Sequence, residues 1–223
     1  MSGLTMICPS RGRPGNVQRV LESWRQNTDS ARLVVVVDPD DPQLPGYKDL
    51  DCDLKVLDVP CRLGPALNVV APELARDADA VGFLSDSHFP RTTGWDTRLV
   101  EALPSGGGVS YSNDLLQYER LPTNPVITAS LIRDLGYMAP PGLTHLYIDN
   151  FWKRLGEDLN ALVYLPDVIV EHMHPSIGKA EWDVQWRANN APEQDHADSA
   201  FYSSFLRNQW PSDLARLKDR KQL

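Results

Sequence analysis

Cysteine is scarce. The three residues, Cys8, Cys52 and Cys61, are an odd count at unrelated spacings. That argues against a disulfide framework or a zinc ribbon and makes a reducing, cytoplasmic setting the expectation. Cys8 closes an apolar run and reads as a small core residue rather than a nucleophile. No run approaches the roughly 18 apolar residues of a membrane helix, so no membrane partner is expected; the longest strongly apolar run is Leu33 to Val37. Residues 1–10 lack the charged start and long apolar centre of a secretion signal. Positive charge is in deficit: 22 Lys and Arg against 30 Asp and Glu give a net charge of -8. A chain of pI about 5.1 is not built to bind polyanions along its whole surface. The one clear basic cluster is Arg216 to Leu223, with four basic side chains against one acid. Familiar phosphate and nucleophile motifs are missing too. There is no Gly-x-Gly-x-x-Gly after a strand, no Gly-x-x-x-x-Gly-Lys-Ser/Thr and no Gly-x-Ser-x-Gly, and Gly106-Gly107-Gly108 precedes a strand instead of linking strand to helix. Neither an internal repeat nor a low-complexity segment is visible.

What is present is an ordinary globular balance, 42% hydrophobic and 23% charged over 223 residues, which suits one domain or one domain with an appendage. The first half alternates. Leu4–Cys8, Leu33–Val37, Leu54–Val59 and Ala80–Leu84 read as strands, and the segments after the first and third, from Val17 to Trp24 and from Gly64 to Ala75, carry apolar residues at helical spacing. This predicts an α/β domain with a mainly parallel central sheet flanked by helices. The second half is less regular: a helix is expected over Trp95–Leu103, a strand running into a short helix over Val126–Leu135, a helix over His145–Leu155, and strands over Ala161–Leu165 and Val168–His172. Beyond Pro175 the composition turns polar. Helices over Glu181–Ala188 and Ala197–Leu206 are expected to pack on the outside, with Trp182 and Trp186 on one docking face and a sugar-stacking role as the alternative.

Ligands of open α/β sheets bind beyond the carboxyl ends of the strands. Three such ends are polar here: Pro9-Ser10-Arg11, Asp38-Pro39-Asp40 and Asp86-Ser87-His88. Together they can form one pocket for a charged ligand. Asp86 and His88 combine carboxylate and imidazole, a set suited to Mg²⁺ or Mn²⁺ that the imidazole tilts toward Mn²⁺ or a later metal. In Glu171-His172-Met173-His174-Pro175, the two histidines at i and i+2 fall on one side of a strand. Asp149 sits among Tyr147, Ile148, Phe151 and Trp152, where desolvation would raise its pKa toward that of a general base. Each feature also has a plain structural reading, as a solvated loop, a strand end and a helix N-terminal carboxylate respectively.

Taken in order, these motifs resemble the GT-A glycosyltransferases, particularly the family 2-like enzymes encoded by bacteriophages. The resemblance runs from residue 4 to about 183. It rests on Pro9-Ser10-Arg11-Gly12-Arg13-Pro14, Asp38, the Gly64 to Asn68 helix start, Asp86-Ser87-His88 in place of an Asp-x-Asp motif, Thr93-Gly94-Trp95-Asp96, Tyr147-Ile148-Asp149, and Glu171 to Pro175 followed by Gly178-Lys179-Ala180 and Asp183. It implies a GT-A domain over 1–180 and a helical C-terminal extension over 181–223 that caps the acceptor cleft, forms a homo-oligomer contact or covers the sheet. It further implies a nucleotide-sugar donor, UDP-linked by preference, held by Pro9, Ser10, Arg11, Arg13, Asp38, Gly64, Asn68, Asp86 and Ser87. Mn²⁺ or Mg²⁺ is expected on Asp86, His88, His172 and His174, with Asp149 as the base of an inverting transfer. Two departures stand out: His88 replaces the second Asp of the metal motif, and Ile148 replaces the acid that commonly precedes the base. Phage relatives leave a modified DNA base, a protein, a glycan or a small molecule as acceptor, with the host cytoplasm as location. The competing classes are a metal-dependent hydrolase built on the same Asp and His residues, a nucleotidyltransferase, and a binding module without catalysis.

Overall fold

The structure, a computed structural model, describes residues 3–221. Its first half is built as the periodicity dictates. β1 (Leu4–Pro9) leads into α1 (Pro14–Asn27), which starts on a proline and buries Val17, Val20, Leu21 and Trp24. Then follow β2 (Arg32–Val37), a short α2 (Leu44–Lys48), β3 (Asp53–Val56), α3 (Leu63–Leu74) and β4 (Ala80–Phe83). The second half comprises β5 (His88–Pro90), α4 (Trp95–Glu101), β6 (Val109–Asn113), β7 (Pro125–Thr128), α5 (Ala129–Leu135), α6 (Ile148–Asp158) and β8 (Leu162–His172). Helices α7 (Val184–Asn189), α8 (Pro192–Asn208) and α9 (Trp210–Lys221) close the chain. No helix among the described residues is long and apolar enough to cross a membrane.

One eight-stranded sheet runs in the order β3-β2-β1-β4-β7-β6-β8-β5. Four pairings are parallel and three antiparallel, so the sheet is mixed: β1 to β4 are joined in parallel, and the second half combines a parallel β6–β8 pair with antiparallel ones. The β-branched run of β2 is buried on both faces. Val34 and Val36 point into the layer containing α3, α5 and α6; Leu33, Val35 and Val37 point into the layer containing α1 and α4. Helices α8 and α9 are part of that first layer: Phe205, Trp210 and Leu217 are buried in it, each such side chain contributing about 1.5–3 kcal/mol of burial.

Several elements differ from the sequence-based expectation, each for a local reason. The two strands expected over residues 161–172 are one, β8, with an irregularity facing Ser112 and Asn113 where Pro166 offers no N–H to the ladder. The helix expected from His145 starts at Ile148, because the N–H groups of Thr144, His145 and Leu146 donate to the buried Asp198 carboxylate at 3.1, 3.0 and 2.8 Å. His88 opens a short strand, β5, instead of lying in a loop. The Thr93 to Asp96 motif is structural: Asp96, 1% exposed, accepts the N–H groups of Asp29, Ser30 and Ala31 and so fixes the turn into β2. Of the basic cluster near the C-terminus, Arg216 pairs with Asp213 and Arg220 with Asp134; Gln222 and Leu223 lie outside the described residues.

Asp96 and Asp198 therefore act alike, each a buried carboxylate clamping three consecutive backbone N–H groups. Burial works to raise their pKa values, but the converging N–H dipoles outweigh it and hold both below the ordinary aspartate value. A folded-state pKa depressed in this way contributes stability above about pH 4 that is lost as pH falls through the folded-state values. Asp96→Ala is expected to cost about 3 kcal/mol, because three hydrogen bonds to a buried charged acceptor vanish and the turn into β2 loses its anchor. Urea unfolding at pH 7 and pH 3 checks it: the deficit should shrink at the lower pH.

Candidate active site

β1 lies between β2 and β4 with all three parallel, so the segments after them emerge on one edge of the sheet. A cleft of about 670 Å³ opens there, lined among others by Pro9, Ser10, Arg11, Arg13, Asp38, Asp86, Ser87, His88, Asp149, His172 and His174. The three polar strand ends do share one pocket.

The nucleotide-side residues form a tight charge network. The Arg11 guanidinium donates to Asp38 at 2.8 Å and to Asp40 at 2.6 Å, while the other oxygen of Asp38 accepts the Cys61 N–H at 2.8 Å. Ser10 Oγ donates to Asp86 at 2.6 Å and lies 2.8 Å from the Tyr47 hydroxyl. Arg13 reaches Asp86 at 3.3 Å and grips Asp183 through Nε and Nη2 at 2.7 and 2.5 Å, with its guanidinium 5.4 Å from the Trp186 ring. Asp86 is almost fully buried; burial pushes its pKa up, and Arg13 and Ser10 pull it back. Arg13 thus joins the β1 loop to α7, and Trp186 forms part of the cleft wall. Trp182 lies just ahead of α7 and is half exposed.

Deeper in the cleft, His88, Asp114 and His172 bring one ligand atom each within 4.8 Å of one another. The β5–β8 register sets His88 directly opposite His172, and their rings stack at 4.1 Å. Asp114 follows β6. Its Oδ1 accepts the N–H groups of Leu116, Gln117 and Tyr118, and its Oδ2 accepts the Thr123 hydroxyl at 2.8 Å. Burial opposes its ionised form, but these donors and His172 at 3.9 Å hold its carboxyl well below the usual range. Burial and the neighbouring His172 push His88 well below the ordinary histidine value. Both ring nitrogens of His172 are buried without a hydrogen-bond partner. Buried imidazole nitrogens left unpaired are costly, and a cation beside Asp114 is what this donor set fits.

Two of the expected metal ligands stand apart from this group. Asp86 is engaged by Ser10 and Arg13. His174 accepts the Ser176 N–H, packs against Trp186 at 4.6 Å, and is lowered to about 4 by burial and His172. Asp114 was not anticipated; Ser112-Asn113-Asp114 reads as a turn after a short strand. Gly64 and Asn68 do not line the cleft. A Cβ on Gly64 would sit 2.1 Å from the Leu143 carbonyl, and Asn68 bonds the backbone of Met138 and Ala139. Both hold the segment that leads to α6.

Asp149 lies in the first turn of α6 and retains access to the cleft, with Oδ1 accepting the Asn150 N–H at 2.9 Å. Protein encloses it on its other sides. That enclosure raises its pKa, while the Asn150 N–H and His172 act in the opposite sense and Asp114 reinforces the rise. His145, another unanticipated wall residue, is lowered to about 4 by burial and by Arg62.

The sequence matches no family model and no curated protein. Several solved structures are similar. A mannosyltransferase from Pyrobaculum calidifontis, in complex with GDP-Man and Mn²⁺, has a TM-score of 0.62 over 97% of this chain and 73% of its own, at 13% identity. Glucosyl-3-phosphoglycerate synthase from Mycobacterium tuberculosis, in complex with Mn²⁺, uridine diphosphate and glucosyl-3-phosphoglycerate, has a TM-score of 0.54 over 78% of this chain and 74% of its own, at 16% identity. S. aureus TarS 1-349 in complex with UDP has a TM-score of 0.58 over 76% of this chain, at 16% identity. This chain spans 59% of that TarS chain and 37% of a longer TarS chain. These likenesses establish the fold: a GT-A, nucleotide-diphospho-sugar transferase architecture.

Because Arg13 is the cation facing buried Asp86, Arg13→Ala is expected to cost about 3 kcal/mol by leaving a buried carboxylate unpaired. Arg13→Ala combined with Asp86→Asn should recover part of that loss. A double-mutant cycle by urea unfolding measures the coupling, and purely additive losses would show that the pair does not interact.

Proposed function

We propose that this protein is a metal-dependent glycosyltransferase that moves a sugar from a nucleotide-sugar donor, UDP-linked by preference, to an acceptor hydroxyl with inversion. The observation that carries the reading is a single cleft at the carboxyl edge of β1, β2 and β4 in which a cation-type donor set adjoins a carboxylate whose pKa burial raises. The fold supports it, as do the complexes of similar proteins with UDP, with GDP-Man and Mn²⁺, and with UDP and Mn²⁺.

In this reading His88, Asp114 and His172 hold a divalent ion, Mn²⁺ or Mg²⁺, which when bound neutralises charge developing on the diphosphate leaving group. Arg13, paired with Asp86 and Asp183, lines the same cleft from the β1 loop and can turn guanidinium N–H groups toward a phosphate. Arg11 and Asp38 form the nucleotide end, where a guanidinium fork and a carboxylate can each meet polar edges of base, ribose or phosphate. Asp149 accepts the proton of the acceptor hydroxyl as its oxygen bonds to the anomeric carbon and the nucleoside diphosphate departs from the opposite face. One displacement of this kind inverts the anomeric centre. The net charge of -8 and the internal pairing of Arg216 and Arg220 favour a protein, glycan or small acceptor over duplex DNA.

A panel of nucleotide sugars with Mn²⁺ tests this, scored by melting shift and by slow release of free nucleotide. The expected result is stabilisation by one nucleotide and release from its sugar conjugates. Asp149→Asn should slow release at least roughly 100-fold, the scale of general-base catalysis, while nucleotide affinity holds. Near-normal release would remove Asp149 as the base. The donor set of two imidazoles and a carboxylate also suits a zinc hydrolase; zinc retained through purification together with phosphoester hydrolysis would favour that reading.

A further inference from the structure

We infer that the acceptor is a saccharide, held in the part of the cleft bordered by one face of α7 (Gln185, Trp186 and Asn189) and by Tyr147 ahead of α6. This rests on the glycosyltransferase reading and names the substrate class that reading leaves open.

Helix α7 buries none of its side chains, so core packing does not account for their identity. It is held by its cap and by charge: Asp183 accepts the Trp186 N–H at 2.9 Å and carries the Arg13 guanidinium. Held there, it lines the cleft with Gln185, Trp186, Asn189 and Asn190. Asn190 closes the helix, its Nδ2 donating to the Trp186 carbonyl at 2.8 Å. The amides of Gln185 and Asn189, one turn apart on the same face, have no hydrogen-bond partner among the described residues. Each offers a carbonyl oxygen and an NH₂ group, which match the neighbouring hydroxyls of a sugar ring, each both donor and acceptor. Trp186 supplies apolar surface for the ring C–H groups. It and Trp182, which is 47% exposed, both pack T-shaped on His174, at 4.6 and 6.1 Å, so the aromatic surface continues out of the cleft.

Tyr147 borders the same cleft two positions ahead of Asp149. Its backbone is left-handed, with φ of 65°, a conformation that an aromatic residue keeps only where its surroundings impose it. Tyr202 stacks on its ring at 5.7 Å, and Asp195 accepts its hydroxyl at 3.0 Å. A saccharide hydroxyl seated here gives its proton to Asp149 as its oxygen bonds to the anomeric carbon and the bond from that carbon to the diphosphate oxygen breaks. The products are a new glycosidic linkage and a nucleoside diphosphate. Nucleobases also stack on aromatic rings, but the segment around α7 carries Glu181, Asp183, Glu193 and Asp195 against Arg187, a balance that repels a polynucleotide.

The test applies the full chain, with UDP and Mn²⁺, to an array of mono- and oligosaccharides and titrates the hits as free sugars by saturation-transfer NMR. One saccharide class should bind, with saturation reaching its ring C–H protons. The same sugar should speed nucleotide release from the active donor at least roughly tenfold and appear in the product. Gln185→Ala and Asn189→Ala remove no hydrogen bond within the chain, so their melting temperatures should hold. The saccharide KM should rise roughly fivefold in each, while the donor KM stays as it was. An array with no saccharide bound, or an unchanged saccharide KM in both variants, would overturn the inference. Nucleotide release accelerated by a serine- and threonine-rich peptide or by single-stranded DNA, and by no saccharide, would sink it and leave the transferase reading standing. A saccharide bound through Gln185 and Asn189 in a chain that acts on no nucleotide sugar would remove the transferase reading and keep the saccharide site.

Discussion

Setting β1 between β2 and β4, all parallel, is the constraint on which the rest depends. The chain runs outward from β1 through β2 to β3, then crosses to β4 on the other side. At such a switch point the loops diverge and leave a crevice that helices do not cover. Three polar segments far apart in sequence are thereby delivered to one edge, where Ser10 meets Asp86 and Arg11 meets Asp38. The sheet itself is held by apolar burial on both faces, and the polar cleft residues, themselves largely buried, gather where the apolar strands end.

The second half of the chain adds the opposite wall by a different device. There the sheet is partly antiparallel, and short strands set single residues opposite one another. β5 is three residues long, yet its pairing with β8 places His88 against His172. The helices after residue 190 take part as well. Asp198 of α8 organises the backbone of residues 144–146, two positions ahead of the helix that carries Asp149. Arg13 holds α7 over the cleft through Asp183. The C-terminal helices are therefore tied to the site by named hydrogen bonds, whatever their evolutionary origin.

Much of the first half was legible because its signals are local. A β-branched run such as Leu33 to Val37 has few structural outcomes, and a polar segment that ends it marks a strand's carboxyl end. Asp38, Asp86 and Arg11 follow from that logic. The pairing of His88 with His172, 84 positions away, does not, because register between short strands is decided by tertiary packing. Asp114 was illegible for the same reason, and because an aspartate that caps a turn looks the same whether or not it also faces an ion. Gly64 and Asn68 carry a visible pattern with a structural use, a close backbone approach at Gly64 and side-chain hydrogen bonds to the Met138–Ala139 backbone at Asn68. Sequence spacing identifies that something is required at such positions without distinguishing which requirement it is.

The central claim is that a cation and a nucleoside diphosphate meet in this cleft. Its most direct measurement is a crystal soaked with Mn²⁺ and uridine diphosphate, with data collected at the manganese absorption edge. The account predicts an anomalous peak between His88, Asp114 and His172, with the diphosphate between that peak and Arg13 and the nucleoside toward Asp38. A manganese peak elsewhere, or a nucleotide bound away from the carboxyl ends of β1, β2 and β4, would contradict it.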